Sequence, residues 1–121
     1  MQPEGRDLGS LWDMLAASRN IKDFIGDITE EHFRRDNKTH FAVISQLQII
    51  GEAAKRLSPG FRKEYPVIPW KQIAGMRDFL VHAYDEVDLG RVWTAATVSV
   101  PALAAFINPV LPPGKEDNLN L

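Results

Sequence analysis

The stretch Val43-Ile44-Ser45-Gln46-Leu47-Gln48-Ile49-Ile50-Gly51-Glu52-Ala53-Ala54-Lys55-Arg56-Leu57 carries apolar residues at 43, 47, 50, 54 and 57. Steps of three and four residues line these up on one side of a helix. Phe41 and Ile44 lie beside that line, which predicts a helix with neighbours on two sides. Gly51 lowers helix propensity and points to a close helix packing at that level. Asp36-Asn37 can cap the start of this helix, and Ser58-Pro59 stops it.

The same period extends to both sides. Upstream, Met14, Ala17, Ile21, Phe24 and Ile28 step by three and four, and Leu8, Leu11, Trp12 and Leu15 widen the stripe. A helix from about residue 6 to 26 is expected, ending near Gly26. Thr29 can cap a short helix through Arg34, whose two leading glutamates suit its positive end. Downstream, Pro59 opens a short turn of helix through about Glu64, and Tyr65 to Ile68 form a connector. Pro69 suits the first position of a helix to about Tyr84. Asp88 can cap a last helix from about Leu89 to Ile107, with a kink at Pro101. Asn108 to Leu121, with Pro109, Pro112, Pro113 and Gly114, is expected to fray as a tail. There is no useful period-2 apolar segment and no internal repeat. The expectation is an all-α antiparallel helix bundle of four main helices plus short ones, one domain over residues 1–121.

Composition narrows the chemistry. The chain has 121 residues and no cysteine, which excludes disulfides, cysteine-based metal clusters and thiol nucleophiles. A formal charge of -2 argues against a general nucleic-acid coat, yet leaves room for local RNA binding. Basic residues cluster at Arg34-Arg35 with Lys38, at Lys55-Arg56 and at Arg62-Lys63; each is a solvated helix face or a phosphate contact. The start of the chain is polar and lacks the apolar core of a secretory signal. Val92 to Gly114 has no charged residue and enough length to span a bilayer, but its threonines, Ser99, Pro101 and many alanines fit a helix packed on protein partners better. No membrane partner is expected.

The segment of greatest chemical interest is Gly75-Met76-Arg77-Asp78-Phe79-Leu80-Val81-His82-Ala83-Tyr84. On a helical wheel Trp70, Ile73, Ala74, Leu80, Val81 and Tyr84 form an apolar face with Arg77 in its middle. A cation there must be paired, for instance with Glu52, or must look into a wet cleft. His82, five residues on, stands about 140° away on an ideal helix. The two converge only if the helix distorts or if a second copy brings its own pair alongside, and the second route predicts a homodimer with the site at its interface. Asp78 precedes His82 by one turn and can orient its ring; a histidine set against the helix dipole is the plainer alternative. Breaking RNA at a 2′-hydroxyl needs a base, an acid and a cation, which a histidine and an arginine can supply without a metal.

Arg77-Asp78-Phe79-Leu80-Val81-His82-Ala83-Tyr84 resembles the Arg-x4-His-x-Tyr motif of HepT-like toxins in the HEPN ribonuclease superfamily. The likeness extends through Ile49 to Ser58, Ile68 to Arg77, and Val87-Asp88-Leu89 with Val92-Trp93, covering roughly residues 6 to 111. The resemblance implies that Arg77 and His82 are catalytic, with Asp78 supporting, in a cytoplasmic endoribonuclease toxin of a type VII-like toxin–antitoxin pair that uses no cofactor or metal. It further implies RNA as substrate, a homodimer or higher homo-oligomer, and an MntA-like minimal nucleotidyltransferase antitoxin that transfers AMP to the motif tyrosine, Tyr84. On the wheel Tyr84 lies within about 20° of Arg77, two turns along; spacing alone would equally make it a core aromatic. Many members carry asparagine after the motif arginine, where this chain has Asp78, a negative charge beside incoming phosphate.

Two other readings follow from the same residues. A catalytically weak HEPN domain would serve as an RNA- or nucleotide-binding or dimerisation module. A metal site would need Asp78, His82 and Asp85 on one face, since His32, His40 and His82 do not pair at ligand spacing. Glycine-rich phosphate loops and G-x-S-x-G segments are absent from the sequence.

Overall fold

The computed structural model describes residues 5–82 and 88–112, and of Arg77, Asp78, Phe79, Val81 and His82 the backbone alone. Among the described residues every regular element is helical: α1 (Gly5–Ile25), α2 (Glu30–Arg35), α3 (Asn37–Arg56), α4 (Pro59–Glu64), α5 (Trp70–His82), α6 (Leu89–Thr94), a π-helical segment (Ala95–Ser99) and α7 (Val100–Val110). The helix boundaries follow from side chains that compete for backbone amides. Gly26 takes the left-handed φ of +52° that ends α1. The Thr29 hydroxyl accepts from the His32 amide, Asp36 from Thr39, Ser58 from Phe61, and Asp88 from Gly90 and Arg91.

α1 and α3 run antiparallel, because the polar ties between them pair rising with falling numbers. Asp7 accepts from the Ser58 amide and hydroxyl at 2.7 and 2.6 Å, Arg56 meets Asp13 at 2.9 Å, and Asn20 donates to Gln46 at 3.1 Å. α3 is the central helix, packed against α1 on one side and α5 on the other. Its Val43, Leu47, Ile50, Ala53 and Ala54 are fully buried, and Gly51 within the same stretch is buried. In α1 the buried line is Leu11, Met14, Leu15, Ala17, Ser18, Ile21 and Ile25, and Phe24 is 42% exposed. A strict helical period takes the line from Ile21 to Ile25 and leaves Phe24 beside it.

The last helical run is not one kinked helix. Its path widens to π geometry over Ala95–Ser99, directly ahead of Pro101. The proline ring would collide with the carbonyl one turn back, and it offers no amide to it; loosening the preceding turn relieves both. Thr97 donates its hydroxyl to the Trp93 carbonyl at 2.8 Å within that stretch. α7 also continues beyond Ile107 through Pro109 to Val110. Leu111 is buried and its amide bonds the Ile107 carbonyl, so packing holds the final turn despite the missing proline donor. Leu89–Val110 is long and apolar enough to cross a membrane by length and composition, but Val92, Ala96, Val100, Leu103 and Ile107 form a stripe in the bundle core.

The Asp36 cap yields a pH prediction. Its side-chain bond to the Thr39 hydroxyl, then the bond to the Thr39 amide and the charge of His32, hold its carboxyl below the usual 3.8. A carboxylate depressed in the folded state adds stability that is present above the unfolded value and lost as pH falls through the folded one. Asp36→Asn should therefore flatten the fall of melting temperature seen between about pH 5 and about pH 2. Identical acid profiles for variant and parent would show that this cap adds no pH-dependent stability.

Candidate active site

α5 begins at Trp70 because Pro69 fixes a helical φ without needing an amide partner, and the Pro69 carbonyl accepts from Ile73. Trp70 anchors this end. Its indole N–H donates to the Tyr65 carbonyl at 2.9 Å, and its ring meets Phe61 and Phe106. The contact with Phe106, near the end of α7, sets α5 antiparallel to the last helical run. At the other end Leu80 shares a cavity with Val92, at the start of that run.

The backbone is α-helical from Trp70 through His82. Arg77 therefore occupies a wheel position between the buried Ala74 and Leu80, and His82 a position about 140° away, on the side of the exposed Lys71 and Gly75. Asp78 lies one turn before His82. The side chains of Arg77, Asp78 and His82 are outside the described residues, and so is all of Tyr84. The tie between Arg77 and Glu52 weighed from sequence falls outside them too; Glu52 itself is exposed on α3. Among the described residues no three His, Asp or Glu side chains form a metal-ligand group; Asp78, His82 and Asp85 are not covered by that statement.

Several basic side chains are engaged in ion pairs or helix-end contacts. Arg34 pairs with Glu30 through Nε and Nη2 at 3.0 and 2.8 Å, and Arg35 pairs with Glu31. Arg56 meets Asp13, and Arg62 donates to the Ala54 and Lys55 carbonyls at 2.8 and 2.9 Å, closing the end of α3. Exposed pairs of this kind contribute little stability. Arg34 has a second feature. A Cβ on Gly90 would stand 2.7 Å from its Nη2, so the guanidinium lies on the first turn of α6 and would have to shift for any larger residue there.

A cavity of about 490 Å³ adjoins the described part of α5. It is lined by Leu47, Gln72, Gly75, Met76, Leu80, Arg91, Val92 and Ala95. A second, of about 380 Å³, continues past Gln72, Ile73 and Met76 to Ser99, Ala102 and Leu103 of the last helical run. Sequence periodicity missed Gln72, Gly75 and Arg91 as cavity residues.

The fold is an all-helical bundle that carries an arginine and a histidine five residues apart on α5. Comparison identifies the family. Residues 14–110 match the model described as "Ribonuclease HepT-like", and the chain belongs to this HepT-like ribonuclease family. It is 43% identical over 93 residues to the protein named "Probable ribonuclease HepT" of Thermococcus cleftensis, covering 77% of this chain and 84% of that one. Two proteins of Methanocaldococcus jannaschii, provisionally named RNases, are 41% identical over 91 residues (75% of each chain) and 34% identical over 110 residues (89% of this chain, 91% of the other). No solved structure matches the chain.

Proposed function

We propose that this ribonuclease-family chain is a metal-independent endoribonuclease toxin whose catalytic pair is Arg77 and His82. The observation that carries the reading is the Arg77-x4-His82-x-Tyr84 motif, inside the family match, with Arg77 and His82 in the C-terminal part of α5. In the proposed reaction His82 takes the proton of a ribose 2′-hydroxyl as that oxygen attacks the adjacent phosphorus. The phosphorus–5′-oxygen bond breaks, and a proton passes to the departing oxygen. The products are a 2′,3′-cyclic phosphate and a free 5′-hydroxyl. Arg77 stabilises the charge that builds on the phosphoryl oxygens, and Asp78 orients the imidazole.

A homodimer completes the site, because two residues about 140° apart on a regular helix do not meet within one copy. A surface suited to a second copy adjoins α5. Val98 is 63% exposed, Pro101, Ala102 and Ala105 are exposed on the same run, and Ala102 shares the 380 Å³ cavity with Gln72 and Ile73. The catalytically weak reading keeps one argument, the carboxylate of Asp78 next to incoming phosphate. It predicts RNA binding without turnover.

Purified protein should cleave single-stranded RNA in excess EDTA and leave 2′,3′-cyclic phosphate ends or their hydrolysis product. Activity lost in EDTA and restored by a divalent ion would reject the mechanism. Control is proposed at Tyr84: an MntA-like nucleotidyltransferase moves AMP from ATP to the tyrosine oxygen with release of pyrophosphate. The added phosphate would compete for Arg77, and the nucleoside would occupy the RNA path. Mass spectrometry of protein co-expressed with such an enzyme should map the added AMP to Tyr84, and Tyr84→Phe should stay toxic beside it. Normal neutralisation of Tyr84→Phe would exclude this tyrosine as the control point.

A further inference from the structure

Among the described residues nothing requires a glycine at position 75. Gly75 lies in mid-helix, where alanine would serve better, its φ is not positive, and among the described residues a Cβ built there meets no atom beyond its own helix backbone within 4 Å. It opens instead onto the 490 Å³ cavity, whose walls are the buried Leu47, Leu80 and Val92 with Ala95, and whose polar members are Gln72 and Arg91. That volume is in the range of small-molecule sites.

We infer that this cavity is a nucleobase slot, receiving a base of the RNA strand next to the scissile phosphate, with Gly75 keeping its mouth open. The inference rests on the ribonuclease reading above. Gly75 and His82 are seven residues apart, so they share a face of α5 and are separated by about 10 Å along it. A strand whose 2′-hydroxyl reaches His82 and which runs toward the N-terminal end of α5 passes over Gly75. Apolar walls accept the flat face of a base. The Gln72 amide offers both a donor and an acceptor to a base edge. A second copy of the chain would find a better fit in the charge-free surface around Val98 than in a slot bordered by Gln72 and Arg91.

The test is methyl and amide NMR of the full chain titrated with the four homodinucleotides, each with a 2′-deoxy sugar at its 5′ residue so that cleavage is blocked. Shifts should centre on Gly75, Met76, Leu47, Leu80, Val92 and Ala95, and their size should depend on the base. Gly75→Leu should erase them and weaken single-stranded RNA binding by about tenfold or more. Cleavage by Gly75→Leu should then lose its base preference beside the cut, with self-association unchanged. Gly75→Ala should remain folded, with a melting temperature at or above the parent's. Shifts at the slot in a protein that never cleaves RNA would sink the ribonuclease reading and leave the slot standing. Normal cleavage by Gly75→Leu with the parent's base preference would overturn the slot and leave the ribonuclease reading intact. Loss of self-association in Gly75→Leu without loss of nucleotide shifts would assign the glycine to a protein interface and overturn the slot as well.

Discussion

Replacing His82 or Arg77 with alanine is expected to lower RNA cleavage by about a thousandfold or more. General acid–base catalysis by one histidine contributes typically about 10²–10⁴-fold, and loss of a charge-stabilising group costs about 10²–10³-fold. The two losses should not add in the double variant, because both groups act on one transition state. Circular dichroism should stay helical in each case. The His82 wheel position lies on the side of exposed residues, so its variant should also melt near the parent temperature. Arg77 lies between buried positions, and removing a cation from such a line can leave stability unchanged or raised if its partner is water. Activity that survives His82→Ala within tenfold would remove the histidine from the mechanism.

The largest structural effect is expected at Phe33. This residue is 0% exposed and fastens the short α2 to the bundle. Its ring packs on Trp93 at 5.2 Å between centroids and edge-on to His40 at 6.0 Å, and its carbonyl meets His40 Nδ1 at 3.2 Å. A six-residue helix does not hold itself in water, so α2 depends on this anchor. Phe33→Ala should cost about 3–5 kcal/mol, a large share of the roughly 5–15 kcal/mol that holds a domain of this size together. The melting temperature should fall by about 10 °C or more. Phe33→Leu should recover much of that loss, since it refills most of the space. The effect should reach the site, because α2 packs on α6 and Arg34 lies on Gly90 at its start. A fall of only a few degrees would mean that α2 is held chiefly by its caps and ion pairs.

Much of the fold was legible because its signals are local. Thr29, Asp36 and Asp88 each cap the helix that their sequence position predicts, and Gly26 ends α1. The five-residue line through Val43, Leu47, Ile50, Ala54 and Leu57 is buried throughout. What periodicity could not give is tertiary. The widening at Ala95–Ser99 depends on how the turn before Pro101 relaxes against the core, and a proline in sequence announces only that some relief is needed. The persistence of α7 past Pro109 depends on the burial of Leu111. Nor could spacing tell which basic residues bind helix ends: Arg62 finds two carbonyls of α3 seven and eight residues back, across a turn.

The site was legible in another way. Arg77 stood out because a cation on an apolar line needs a reason, and the block around it resembles one family closely. The cavity residues were not legible, since Gln72 and Gly75 come from α5 while Arg91, Val92 and Ala95 come from the run that returns beside it. Only the antiparallel pairing of those elements brings them to one place.

The central claim is that Arg77 and His82, set apart on a regular helix, act together across two copies of the chain. The most direct measurement mixes the Arg77→Ala and His82→Ala proteins under conditions that exchange subunits, and assays RNA cleavage in EDTA. Each protein alone should be inactive. Half of a randomly exchanged population is hybrid, and in a hybrid one of the two shared sites keeps both an intact arginine and an intact histidine. The mixture should therefore recover about a quarter of the parent activity. No recovery, with hybrid dimers verified by native mass spectrometry, would contradict the shared site and place both residues in the service of a single copy.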